Sequence, residues 1–456
     1  MTARMAAYQI LLQLEKRRVH PDELLRTTLS RYGHLTQTDK ALATELLYGT
    51  IRWQGRLDWY IKQLSRVSME KMESSVKILL RLGLYQLFFL DRIPSYAAVN
   101  ETVKIARATH PRHLVSFVNA ILRKASERSP DDWELPDVGI EPVKYLAVMT
   151  SHPEWVIEKL LKTMNYDEVA AFCEANNRVA PLVIRVQPGK GMSRDEVISW
   201  FKENCPDVTE VSPARYAPLG VIVRGLRSDI SETELYKAGI VNVQDEASQL
   251  IAYLVNPKPG ERVLDLCCGF GVKSAQLASL MGNDGEIIAV DVSAWKLEAL
   301  EKNMVRLGIS IVKPLAGDIL ELNPEKIGLF DRVLIDAPCT GWGTVRRNPD
   351  IKWKTHPRDP WRMGKLQKEL LIKAAQFVRP GGTLTYSTCS IFPDENDQVA
   401  ASFEEAFPWE EIPAHKLLEK ASVKDADVLT DGKFLRTLPH IHEIDGFFGV
   451  TWLRPD

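Results

Sequence analysis

Two cysteines and an aspartate stand where this chain could do chemistry. Asp336-Ala337-Pro338-Cys339 follows the apolar run Val333-Leu334-Ile335, and Thr388-Cys389 follows Leu384-Thr385-Tyr386. Each segment reads as a strand opening into a loop, where ligands bind in open α/β sheets. A thiol there is a candidate nucleophile once it becomes a thiolate. A nearby carboxylate is a candidate acid–base partner. One reaction needs all three groups. Carbon 5 of cytosine is not nucleophilic, but thiolate addition at carbon 6 turns the ring into an enamine that can attack a sulfonium methyl. A base then removes the carbon 5 proton so that the thiol can leave. The residue types alone do not say which cysteine attacks.

A sulfonium donor needs its own pocket. Val263-Leu264-Asp265-Leu266-Cys267-Cys268-Gly269-Phe270-Gly271 reads as a strand, an acid and a glycine turn opening a helix. Small residues let a ligand approach the backbone, and the helix N-terminus offers N–H groups to a carboxylate. The third glycine of a dinucleotide fingerprint is missing after Gly271. The next strand ends at Asp291, placed to accept ribose hydroxyls, and Gly317-Asp318 follows the third, where an acid can take an adenine amino group. Acids at three consecutive strand ends suit S-adenosylmethionine. Cys267 and Cys268 belong to this cofactor loop, with thiols that read as small packing groups.

The elements that must position these residues divide the chain of 456 residues into about three domains. Residues 1–130 show apolar residues only at helical spacing (Tyr8-Ile10-Leu11-Leu14, Leu42-Leu46-Leu47, Val76-Leu79-Leu80-Leu84-Leu87), with an N-cap region at Thr36-Gln37-Thr38-Asp39. The polar, proline-marked stretch 129–137 reads as a linker. Residues 141–237 read as a small α+β module whose strands Pro181–Val186 and Gly220–Arg224 lack an aromatic stripe for stacking bases. Residues 238–456 alternate strand and helix, which predicts a mostly parallel sheet with helices on both faces and Gly446–Trp452 as a late antiparallel edge.

Apolar content of 45%, charged content of 26% and a net charge of −2 describe a folded soluble protein without a global basic field. Any RNA surface must then be local. The candidates are Lys104, Arg107, Arg112, Arg123 and Lys124 in the helical part, and the run Arg346, Arg347, Lys352, Lys354, Arg358, Arg362, Lys365 with Trp353 and Trp361. Six cysteines without paired spacing suggest a reducing, cytoplasmic setting and no metal. The charged residues Glu15 to Arg18 argue against a signal peptide, and Arg81 and Gln86 mark 78–90 as a core helix rather than a membrane span.

Several motifs resemble known families. Asp39-Lys40 with Leu47-Tyr48-Gly49-Thr50, Arg81 to Leu87 and Phe117 to Arg123 are similar to NusB-type RNA-binding domains. Asp336 to Gly341, Arg346 to Asp350, Tyr386 to Ser390 with Glu395-Asn396, Gln244 to Ser248 and Asp445 to Phe448 resemble RNA 5-methylcytosine methyltransferases of the bacterial Sun/RsmB type. The resemblance covers nearly the whole chain and implies an RRM-like middle module and a Rossmann-like catalytic domain. It implies methylation of small-subunit ribosomal RNA at cytosine carbon 5, with S-adenosylmethionine as cofactor; separately, a monomer is the expected form.

By the same resemblance Cys389 is the nucleophile and Cys339 assists product release. Asp336 holds the N3 and amino edge of the base, and Lys273 lies beside it. The cofactor set is Asp265, Cys267, Cys268, Gly269, Phe270, Gly271, Lys273, Asp291, Asp318 and Asp336. The chain departs from the family's Ala-Pro-Gly-Gly-Lys with Gly269-Phe270-Gly271-Val272-Lys273, which puts a β-branched residue in place of a glycine. That change keeps open an RNA-binding assembly factor with a vestigial methylase fold. The same reaction on transfer RNA is a third reading.

Overall fold

The structure is a computed structural model that describes residues 1–16, 19–129 and 132–456. Pro130 and Asp131 of the expected linker, and Arg17 and Arg18, lie outside the described residues. Contacts divide the chain into two compact units: Met1–Asn177 with Lys352–Lys354, and Arg178–Ile351 with Thr355–Asp456.

The first unit is helical throughout its described residues. Its core gathers Tyr8, Ile10, Leu46, Leu47, Ile61, Leu79, Leu84, Val103, Val118 and Leu122. The helix Gln37–Arg52 starts as its sequence predicts, with a reciprocal capping box between Thr36 and Asp39. The NusB-like segments interlock through glycines. A Cβ on Gly49 would fall inside the Tyr85 ring, and one on Gly83 would sit 2.7 Å from Leu122. Helix Ser74–Phe89 is a core helix whose buried Arg81 forks onto Asp58 at 2.7 and 2.8 Å. Among the described residues no helix is long and apolar enough to cross a membrane. The helices Pro142–Thr150, Glu154–Leu160 and Tyr166–Asn177 belong to this unit.

The second unit holds two sheets. The smaller runs β1 (Leu182–Val186), helix Arg194–Asn204, β2 (Glu210–Pro213), β3 (Gly220–Arg224), helix Glu234–Lys237 and β4 (Val241–Val243). That βαββαβ order closes an antiparallel sheet β2-β3-β1-β4, a ferredoxin-like module. Sequence reading saw β1 and β3 but not the short partners β2 and β4, and β4 carries the sheet beyond residue 237. Ile184, Val186, Val221 and Val223 pack one face onto Val197 and Phe201 of the first helix. On the other face Arg185 is fully buried, bonded to Gln244 at 2.9 Å and Ser279 at 3.3 Å, and burial pushes its guanidinium down to about 10.

The larger sheet positions the chemistry. Its strands are β5 (Arg262–Leu266), β6 (Glu286–Asp291), β7 (Val312–Ala316), β8 (Phe330–Asp336), β9 (Val378–Thr388), β10 (Glu410–Ile412), β11 (Leu435–Thr437) and β12 (Phe447–Leu453). The order is β10-β12-β9-β8-β5-β6-β7, with β11 also on β12, and β9 through β7 are parallel. Buried runs such as Val333-Leu334-Ile335 suit strands covered on both faces. The late strand is antiparallel as expected but is not an edge, because β10 and β11 pair along its far side. Those two strands have three residues each, too short to show a period.

Candidate active site

Parallel strands deliver the candidate residues to one end of the sheet. From β9 to β7 the carboxyl ends carry Cys389, Asp336 with Cys339, Asp265, Asp291 and Asp318, in that spatial order. The sulfurs of Cys339 and Cys389 stand 3.1 Å apart. The contact with Cys389 and then burial push the Cys339 thiol well up. Asp336 accepts from Lys273 Nζ at 2.5 Å through one oxygen and from Ser387 Oγ at 2.8 Å through the other. Burial works against the Lys273 charge, but the Asp336 carboxylate outweighs it and raises the ammonium's pKa, with Cys389 within electrostatic reach. A thiol pair, a carboxylate and a cation thus share one site.

The tie between the two cysteine loops was not given a role on sequence. Glu395, fully buried, accepts from Thr340 N at 2.8 Å and from the hydroxyls of Thr340 and Ser390 at 2.5 Å each. These are the residues that follow Cys339 and Cys389, so one carboxyl group holds both loops. Burial raises its pKa, against the pull of those hydroxyls. A second tie is a buried charge cluster. Asp445 accepts from Arg346 at 2.6 Å and from Arg347 at 2.8 Å, and Arg347 reaches Asp245 at 2.6 Å. The only sequence signal for these ties was that all their members sit inside the quoted motifs.

The cofactor loop fits an adenosyl sulfonium. Cys267, Gly269 and Gly271 all have positive φ, so the loop curls, and nothing lies within 4 Å of where a Gly269 side chain would begin. Asp291 is pinned by the backbone N–H groups of Gly269 at 3.0 Å and Ser293 at 2.9 Å. Asp265 is bonded to Ser274 at 2.5 Å through one oxygen, while the other is buried without a protein partner. Burial pushes its carboxyl up to about 7, against the Ser274 bond. Asp318 is exposed and caps its own short turn through Leu320 N at 2.9 Å. Phe270 lies half-exposed against Trp295, ring centres 5.3 Å apart.

Val272 does not strain the loop. It is the first residue of helix Val272–Leu280 and has no positive φ. The glycine requirement sits at Gly271, whose φ is +72° and whose Cβ would meet Leu300 at 2.4 Å. Gly271→Ala should therefore cost about 1–3 kcal/mol in stability, read by denaturant unfolding, while Val272→Gly should cost under about 1 kcal/mol.

Much of the basic run is not free for phosphate, contrary to expectation. Arg346 and Arg347 are spent on Asp445 and Asp245. Within the helical unit Lys352 is buried and donates to Arg52 O at 2.7 Å and Asn177 Oδ1 at 3.1 Å. Burial, then Arg52, depress its ammonium strongly. Trp353 donates to Ile51 O at 2.7 Å. Arg358, Arg362 and Lys365 stay on the surface with Trp361.

Three family models match in chain order: the NusB family over 1–127, the RsmF/B-like ferredoxin-like domain over 152–225, and the 16S rRNA methyltransferase RsmB/F over 252–452. The chain is 33% identical over 453 residues to the probable ribosomal RNA small subunit methyltransferase B of Bacillus subtilis, covering 98% of this chain and 97% of that one. The chain belongs to the RsmB/F family of 16S rRNA methyltransferases. The ribosomal RNA small subunit methyltransferase B of Pseudomonas syringae is 34% identical, with 88% of this chain and 86% of that one aligned. The crystal structure of PH0851 superposes over 99% of this chain and 98% of its own with a TM-score of 0.82 at 28% identity. The NusB-like helical domain, ferredoxin-like module and methyltransferase sheet of this chain are thus those of an RNA methyltransferase of the RsmB/F family.

Proposed function

We propose that this RsmB/F-family chain methylates carbon 5 of a cytosine in small-subunit ribosomal RNA, using S-adenosylmethionine and a covalent bond between Cys389 and the base. The observation that carries this reading is the pair of sulfurs 3.1 Å apart beside the Lys273–Asp336 pair. A single thiol would serve attack alone. Two thiols in contact serve attack and release, and the carboxylate and ammonium beside them serve the base that is attacked.

In this scheme Cys389 adds to carbon 6, with the Lys273 charge beside the sulfur anion from which it attacks. Asp336, oriented by Lys273 and Ser387, receives the N3 and amino edge of the base and stabilises the ring as charge moves into it. The bound cofactor supplies the methyl group as a sulfonium. When the cofactor is bound, the N-terminus of helix Val272–Leu280 would hold its carboxylate, Asp291 its ribose hydroxyls, Asp318 its adenine amino group and the loop 265–271 the remainder. Cys339 takes part in removing the carbon 5 proton, after which the bond to Cys389 breaks and the thiolate is restored.

The test is transfer of a labelled methyl group from S-adenosylmethionine to unmodified small-subunit RNA, mapped by bisulfite sequencing. One protected cytosine is expected. Label on another base, or on transfer RNA in preference, would sink the assignment. The unstrained Val272 helix start gives no support to a vestigial cofactor loop, so calorimetry should detect the cofactor analogue sinefungin.

A further inference from the structure

We infer that the groove between helices Ser95–Thr109 and Arg112–Ser126 of the helical unit binds one nucleotide of the RNA substrate, its phosphate held by Arg107 and Arg112 and its base edge by Asn119. The inference rests on the RNA substrate proposed above and names where a separate part of the chain would grip it.

The groove holds a shallow, open pocket of about 410 Å³, a volume in the range of small-ligand sites. Val103 and Arg107 face it from one helix, His110 from that helix's extended C-cap, and Arg112, Val115 and Asn119 from the other helix. His110 is a wall rather than a ligand, because its ring nitrogens meet Ser75 at 2.9 Å and Thr109 at 2.7 Å. Arg107 and Arg112 differ: among the described residues neither has an acidic partner, and the Asn119 amide has no hydrogen-bond partner. The neighbouring Lys104, by contrast, is paired with Glu101 at 2.5 Å.

The charge arrangement is unfavourable as it stands. Helix Arg112–Ser126 has no acidic residue in its first turn and no side-chain cap. A cation at that position opposes the helix dipole. The N–H groups of Leu114 and Val115 are taken by Pro111 O, leaving those of Arg112 and His113 to point outward. An anion satisfies both the free N–H groups and the two guanidinium forks. The chemistry beyond the anion narrows the ligand. An amide offers donor and acceptor together, the pattern that reads a base edge, and Val103 and Val115 give an apolar floor for a flat ring. A phosphate flanked by a heterocycle matches all of these groups at once.

The experiment measures binding of a fluorescent small-subunit RNA fragment to the full chain over a range of salt. Arg107→Ala/Arg112→Ala should weaken binding at least about tenfold and lower the slope of log affinity against log salt by about 1. Asn119→Ala should weaken binding severalfold with the slope unchanged. Without RNA the Arg112→Ala chain should unfold at or above the wild-type temperature, because it loses an unpaired cation at a positive helix end. Wild-type affinity and slope in the double variant would overturn the inference. So would saturation of the pocket by cytidine or adenosine 5′-monophosphate at micromolar concentration with RNA binding unaffected by the double substitution, which would assign the pocket to a free nucleotide. Failure here leaves labelling of a cytosine by the wild-type chain untouched. Absence of that label with a weakened double variant overturns the proposed reaction instead.

Discussion

Cys389→Ala should lower methyl transfer by roughly 10³-fold or more, as loss of an attacking nucleophile does, and Cys339→Ala should stop the same reaction at a different point. The two thiols touch, so sequence position alone would not separate their roles, but their products do. With Cys389 intact and Cys339 removed, addition and methylation proceed and the carbon 5 proton is left without its acceptor. RNA then stays bonded to protein and runs as a slow band on a denaturing gel. The Cys389 variant and the double variant should show no such band. Full activity in Cys389→Ala, or a band from that variant, would exchange the two assignments.

Asp445→Asn should be among the most destabilising conservative substitutions in the second unit. Asp445 is 1% exposed and sits between two guanidiniums, with Arg346 also bonded to Glu443 O at 2.7 Å and Arg347 to Pro181 O at 2.8 Å. Removing one partner of such a cluster leaves two guanidiniums facing the single carboxylate of Asp245, and breaking a buried ion pair costs up to about 3–5 kcal/mol. The loop that follows Cys339 is attached at the same place, since Gly446 N donates to Gly343 O at 2.8 Å and Gly343 N to Cys389 O at 2.8 Å. Stability by denaturant and transfer rate should therefore fall together, and transfer should fall even where the chain is still folded. A variant with wild-type unfolding would mean that the cluster contributes little.

The parts legible in the sequence are those that local pattern controls. Val333-Leu334-Ile335 and Leu384-Thr385-Tyr386 reveal buried strands, and once two parallel strands are granted, Asp336, Cys339 and Cys389 must emerge at one end. The N-cap region at Thr36 and the glycine turn at 269–271 were legible for the same reason. What escaped depends on partners far apart in the chain. Arg346 reads as a surface cation until Asp445 arrives from 99 residues away. Lys352 reads as a phosphate contact but lies buried against Arg52 and Asn177. Strands β2, β4, β10 and β11, of three or four residues, are defined by the neighbour they pair with rather than by any period of their own.

The sulfur contact also determines how this enzyme must be handled. At 3.1 Å the two atoms are about 1 Å from bonding distance. A peroxide that accepts an electron pair from the thiols would couple them as a disulfide and be released as water, leaving neither sulfur able to attack a base. Preparations kept in air should therefore lose two titratable thiols and their activity in step, and dithiothreitol should restore both.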